Sequence, residues 1–152
     1  VIFMDSCCQT PTNPKTIYTC PSCLRNGKAV PSITLKAMLK PSALENFRPE
    51  ISYAFCSTPS CDVVYFYDLQ IFNKDTLKVP VFQKDNSTEV PVCYCFNWTR
   101  ERIKSVQDKK QPIDHIREQV QADRCGCEVN NPQGACCLGN VTVFVRSLET
   151  LQ

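Results

Sequence analysis

Histidine is nearly absent from this 152-residue chain, where His115 stands alone. A Rieske-type centre needs two imidazoles, so that chemistry is excluded, and His115 is expected to be a solvent-facing helix residue. No Ser–His–Asp set can be built beyond that one ring, and the acidic residues form no paired acid/base site. No apolar run approaches the ~20 residues of a membrane span, which argues against membrane insertion. No basic stripe breaks the even mixture of 17 Lys+Arg and 15 Asp+Glu, net +2, so nucleic acid is not an expected partner. Repeats and low-complexity tracts are missing too, and Val1-Ile2-Phe3-Met4 is too short for a signal peptide. The first residue is Val1, not Met, which points to a processed or trimmed product or to a start at Met4. The expected location is the cytoplasm.

What the chain has in abundance is cysteine, 12 in all: Cys7, Cys8, Cys20, Cys23, Cys56, Cys61, Cys93, Cys95, Cys125, Cys127, Cys136 and Cys137. An even count in a small protein reads either as a secreted disulfide scaffold or as a set of metal ligands. Asn-X-Ser/Thr triplets at Asn86, Asn97 and Asn140 lean towards secretion, but such triplets arise often by chance. The spacing leans the other way. The cysteines fall as C-C, C-P-S-C, C-x4-C, C-x-C, C-x-C and C-C. Residues two or three apart converge on one ion more readily than they bond each other. Metal is therefore the favoured reading and disulfides the rival.

Hydrophobic residues make up 43% of the chain, enough for a core. Split in two, each half is small enough to need a staple. The pattern divides the chain in that way: a polar tail over 1–19, a β-rich segment over 20–86 and a helical segment over 87–152, an α+β protein. In the β-rich part, Thr34–Leu39 reads as a short helix stopped by Pro41. Ile51–Phe55, Val63–Tyr67 and Leu77–Phe82 read as strands. In the helical part, Thr99 is a helix N-cap with Glu101 in the first turn. Pro112 opens a second helix with the stripe Ile113, Ile116 and Val120. Leu138, Val141, Val145 and Leu148 mark a third, although the β-branched residues keep a strand open there.

Two cysteine constellations carry chemistry. Cys20-x2-Cys23 and Cys56-x4-Cys61 offer four thiolates from two turns, the donor set of a structural zinc site that staples distant segments. A thioredoxin-type redox pair at Cys20–Cys23 is a weaker alternative, because no βαβ pattern surrounds it. Buried, non-ligating Cys56 and Cys61 are another. In the second half, Cys93-x-Cys95 is followed by Cys127 and then by Cys136-Cys137. Each group is expected just before a helix, whose free amides would face the sulfurs of an anionic [2Fe–2S] cluster. A second zinc remains the alternative. Cys125 is a spare by spacing, as is one of Cys136 and Cys137. Cys7-Cys8 offers a soft-metal trap, for Cu(I) among others, or a reactive tail without a role. Tyr94, Phe96 and Trp98 flank the cluster loop and would shield it.

Three motifs in order carry a family resemblance: Phe55-Cys56 through Cys61-Asp62-Val63-Val64-Tyr65-Phe66, Pro91-Val92-Cys93-Tyr94-Cys95-Phe96, and Asn131-Pro132-x-Gly134-x-Cys136-Cys137-Leu138-Gly139. Together they resemble the zinc- and [2Fe–2S]-binding region of CopZ-type copper chaperones, from about Cys20 to Val145. The second half is also similar to the bacterioferritin-associated ferredoxin, a small helical [2Fe–2S] module. The resemblance implies a zinc-binding subdomain, then a helical cluster-binding subdomain with Cys127, not Cys125, at the family-like distance from Cys95. It implies electron transfer for reduction of Cu(II) to Cu(I), with a cytosolic electron donor upstream and a copper-exporting ATPase indirectly downstream. The chain shows no heavy-metal-associated domain and no Met-x-Cys-x-x-Cys loop. The expectation is therefore a fragment, or a donor to a separate copper-carrier domain. Whether a reductase activity belongs to it is left open.

Overall fold

The computed structural model describes residues 18–150. Five short strands form one antiparallel sheet in sequence order: β1 (Tyr18–Thr19), β2 (Asn26–Ala29), β3 (Ala54–Phe55), β4 (Val63–Tyr67) and β5 (Gln70–Asn73). Tyr18 and Thr19, which the sequence pattern assigns to the tail, pair with Gly27 and Asn26. Two residues of strand are held there by the Cys20–Cys23 turn, in which the Leu24 amide donates to the Cys20 carbonyl at 2.8 Å. Gly27 is required by proximity. A Cβ there would stand 2.6 Å from the Phe55 carbonyl oxygen and 2.8 Å from the Phe66 ring, so the sheet closes only over glycine.

β4 is an inner strand between β3 and β5, β-branched and aromatic as strands prefer. The register shifts between Val63 and Tyr65, so neighbours Val64 and Tyr65 both enter one core while Val63 and Phe66 face the Cys20, Cys56 and Cys61 side. The helix expected over Thr34–Leu39 is α1 (Ser32–Met38); a one-turn helix α2 (Pro41–Leu44) follows, with Pro41 at its start. The strand expected over Leu77–Phe82 does not form. Only Leu77 bridges Leu39, and the Lys78 amide is taken by the Met38 carbonyl at 2.8 Å. Pro80 has no amide to extend a ladder. Leu77 and Val81 still bury, against the first core.

The second half opens with a hairpin, β6 (Pro91–Cys93) and β7 (Trp98–Thr99), followed by α3 (Arg100–Ser105), α4 (Gln111–Gln121), α5 (Cys127–Asn130) and α6 (Leu138–Thr150). Thr99 caps α3 by accepting the Arg102 amide at 3.1 Å. The segment from Leu138 is helical, which resolves the strand alternative. Val92, Trp98, Ile103, Ile116, Val141 and Val145 form its core. Among the described residues no helix is long and apolar enough to cross a membrane. Mixed α+β architecture, sheet first and helices after, is thus what the chain adopts.

The halves are joined by specific bonds. α1 packs on α5, and the buried Thr34 hydroxyl donates to the Glu128 carbonyl at 2.6 Å. Tyr65 donates to the Pro132 carbonyl. Gly134, with φ of 71°, lies so close to α1 that a Cβ would come 2.9 Å from Thr34 Oγ1.

Candidate metal centres

Cys20 sits just after β1, with its amide on the Arg25 carbonyl, and Cys23 three residues on in the same turn. Cys56 leaves β3 with its amide on the Val64 carbonyl, and the Cys61 amide turns back onto the Thr58 carbonyl before β4 begins. The sheet thereby brings the two pairs face to face. Cys20 Sγ is 3.9 Å from Cys61 Sγ, and Cys23 Sγ is 3.7 Å from Cys56 Sγ. All four sulfurs lie within 4.8 Å of one another. Zinc–sulfur bonds of about 2.3 Å in a tetrahedron set sulfur separations of about 3.8 Å, so the donor set fits one zinc ion.

The environment separates the four thiols. Burial pushes Cys20 up to about 12 and raises Cys56 as well, the latter opposed in part by Lys84. Cys23 goes the other way, to about 6, chiefly because the Thr58 hydroxyl 3.3 Å away stabilises its thiolate. Lys84 lies over the same site. Its ammonium donates to the carbonyls of Thr58 at 2.6 Å and Cys61 at 2.8 Å and reaches Cys56 Sγ at 3.8 Å.

The second set is arranged differently. Cys93 ends β6, and Cys95 lies in the turn closed by Asn97, whose φ is 56°. A helix was expected directly after this pair; the hairpin intervenes, because Trp98 turns back to pair with Cys93. The amide that reaches Cys95 comes from elsewhere: Gly126 N donates to Cys95 Sγ at 3.2 Å, and Asn130 Nδ2 lies 3.7 Å from it. Cys95 Sγ is 3.4 Å from Cys127 Sγ. Cys137, immediately before α6, is hydrogen-bonded to both Cys127 and Cys93. Those two bonds, Cys127's first, bring its thiol down to about 5. Cys93 is raised, first as the donor to Cys137 and then by burial. Cys127 brings Cys95 to about 7. The sulfurs thus run in a chain, Cys95, Cys127, Cys137, Cys93. Among the described residues they do not make a second group lying mutually within 4.8 Å.

Residues 17–78 match the CopZ-type family described as a zinc binding domain. The copper chaperone CopZ of Archaeoglobus fulgidus is 31% identical over 118 residues, 78% of this chain and 57% of the relative. The X-ray structure of the A. fulgidus CopZ N-terminal domain superposes with a TM-score of 0.68 at 31% identity, covering 83% of this chain and 96% of that one. The chain belongs to the CopZ family. Its resemblance is to the N-terminal region, and it spans little more than half the length of the CopZ chaperone itself.

Within this CopZ-type region the four expected zinc ligands meet, and Cys93, Cys95, Cys127 and Cys137 connect through hydrogen bonds. Cys136 is half-buried against the same core, and Cys137 is hydrogen-bonded to Cys93 and Cys127. Cys7 and Cys8 lie outside the described residues. His115 is corrected: it is half-buried, accepts the Trp98 Nε1 hydrogen at 3.0 Å and meets Phe96 edge-on. Of the shielding aromatics, Trp98 is fully in the core, whereas Tyr94 and Phe96 are half-buried. Thr58, Lys84, Gly126 and Asn130 escaped sequence reasoning. Only Gly126, flanked by cysteines, carried a local signal.

Proposed function

We propose that Cys20, Cys23, Cys56 and Cys61 hold a structural zinc. Cys93, Cys95, Cys127 and Cys137 hold a [2Fe–2S] cluster, and the protein is an electron donor in copper handling. The observation that carries this is the contrast between the two sulfur sets. One is closed around a single tetrahedral point. The other is strung out, with Cys95–Cys127 at 3.4 Å at one end and Cys137–Cys93 at the other. A binuclear cluster takes its terminal thiolates in pairs on two irons, so four sulfurs need not share one centre.

When bound, the cluster supplies a one-electron couple suited to reducing Cu(II) to Cu(I). The chain's own residues do the rest. The Gly126 amide and the Asn130 side chain stabilise charge on the Cys95 sulfur. Hydrogen bonds of this kind raise a cluster's potential. Val92, Ile103 and Val141, none measurably exposed, keep water from the Cys93 side. The substrate is copper ion or copper on a separate carrier domain, with an exporting ATPase further on and a cytosolic donor supplying electrons. The zinc subdomain begins with β1 at Tyr18, two residues before the expected 20–86, and the cluster subdomain extends over 87–152, in the cytoplasm.

The test is the visible spectrum of anaerobically purified protein with its metal content. Thiolate-to-iron bands with two irons and one zinc per chain support the assignment. Colourless protein with two zincs replaces it by a non-redox zinc module, and metal-free protein removes both.

A further inference from the structure

The two cysteine sites are bridged by one short segment, 81–85. Lys84 is fixed on the zinc side by the Thr58 and Cys61 carbonyls and Cys56 Sγ. Its neighbour Gln83 is fixed on the other side, where Nε2 donates to Gln133 Oε1. Gln133 is itself a junction: Oε1 also accepts from Asn140 Nδ2 of α6 at 2.8 Å, and Nε2 contacts the Cys136 carbonyl at 3.5 Å. The segment between them has little freedom. The Phe82 amide donates to Tyr94 Oη at 3.0 Å. Arg100, buried, donates to the carbonyls of Phe82, Asp85 and Ser87 and covers the Phe82 ring at 4.3 Å.

We propose that Lys84 and Gln83 couple the two centres, so that filling the zinc site secures the loop that delivers Cys136 and Cys137. The proposal rests on the two-centre reading above. Zinc requires its thiolates deprotonated, and a tetrathiolate zinc site is a net anion. A half-buried ammonium against it is therefore a charged partner as well as a backbone clamp, and such partners set metal affinity. Lys84 moving off its clamp draws Gln83 with it, and Gln133 loses the bond that holds it over Cys136. Coupling between two sites is reciprocal, so cluster loss must in turn loosen zinc.

The experiment uses the metal-loaded full chain and reads zinc transfer to a chromogenic chelator alongside the half-life of the cluster's visible circular dichroism. In Lys84→Met, zinc should be retained roughly 10- to 100-fold less well, and the cluster half-life should shorten. Lys84→Arg should restore both, which mere loss of packing would not allow. Gln83→Leu should shorten the cluster half-life, and removing zinc should then shorten it less than in wild type; its zinc retention should fall in cluster-loaded protein and match wild type once both lack the cluster. Looser zinc with an unchanged cluster in Lys84→Met overturns the coupling and leaves the two-centre reading standing. An unchanged cluster in Gln83→Leu overturns it also, and decides the matter if Lys84→Met does not fold. Wild-type protein without visible bands overturns the reading and the coupling together.

Discussion

Tyr65, at the centre of β4, donates its phenolic hydrogen to the carbonyl of Pro132, 67 residues away on the loop between Cys127 and Cys136. The ring is buried, and burial raises its hydroxyl well above the usual tyrosine range, so it remains a donor at every pH the protein meets. Tyr65→Phe keeps the ring and removes the bond, leaving a buried carbonyl without it. Stability should fall by about 1–3 kcal/mol, read from the denaturant midpoint with an unchanged m-value. An unaltered midpoint means the two halves do not depend on this contact.

Held by the four thiolates, zinc would staple segments that the sheet alone joins weakly, since β3 has only two residues. Cys56→Ser removes one thiolate and should release zinc. The Cys56 amide bonds the Val64 carbonyl at 2.8 Å, so loosening enters β4 directly. Amide exchange over Val63–Phe66 should accelerate in this variant. Exchange as slow as in wild type rules out zinc as the staple.

The four-thiolate group was legible because two spaced pairs are a local signal; so were β4, the Thr99 cap and the stripes of α4 and α6. The rest lay in contacts that spacing does not encode. Lys84 carries no motif and reaches Cys56 only through tertiary structure. Leu77, Val79 and Val81 share a parity, yet Pro80 and the capture of the Lys78 amide by Met38 leave no ladder. Adjacent Cys136 and Cys137 are equivalent in sequence, whereas the start of α6 turns Cys137 towards Cys93 and Cys127. His115 looked surface-bound because nothing in the sequence joins it to Trp98.

That distinction between neighbours is measurable. Cys137→Ala should abolish or shift the visible bands, and Cys136→Ala should preserve them. Cys125→Ala should preserve them as well. Bands that survive Cys137→Ala and vanish in Cys136→Ala reverse the assignment.

Thiol reactivity in zinc-free protein follows from the surroundings of each sulfur. The thiolate is the nucleophile, and its fraction grows as pH rises through the pKa. Cys23, at about 6, is mostly thiolate at neutral pH, whereas Cys20, at about 12 and buried, stays protonated. Iodoacetamide at pH 7 should label Cys23 ahead of Cys20, and lowering the pH below about 6 should slow it. Zinc should protect it. Peptide mapping that finds Cys20 labelled ahead of Cys23 contradicts the order.

Copper reduction is the consequence on which the functional reading stands. A cluster on four thiolates is an anion that gains charge on reduction, so hydrogen bonds to its sulfurs decide whether it accepts an electron readily. Gly126 and Asn130 supply such bonds to Cys95. Asn130→Leu should lower the potential measured by anaerobic redox titration and leave the visible bands in place. Soft sulfur ligands favour Cu(I), so a thiolate-rich carrier loaded with Cu(II) is a ready acceptor. Reduced protein mixed with that carrier without oxygen should re-oxidise and form one Cu(I) per cluster. Free thiols also reduce copper, and protein lacking the cluster through Cys93→Ala and Cys95→Ala gives their share. If that protein forms as much Cu(I), or if the reduced cluster persists beside Cu(II), the electrons serve another acceptor.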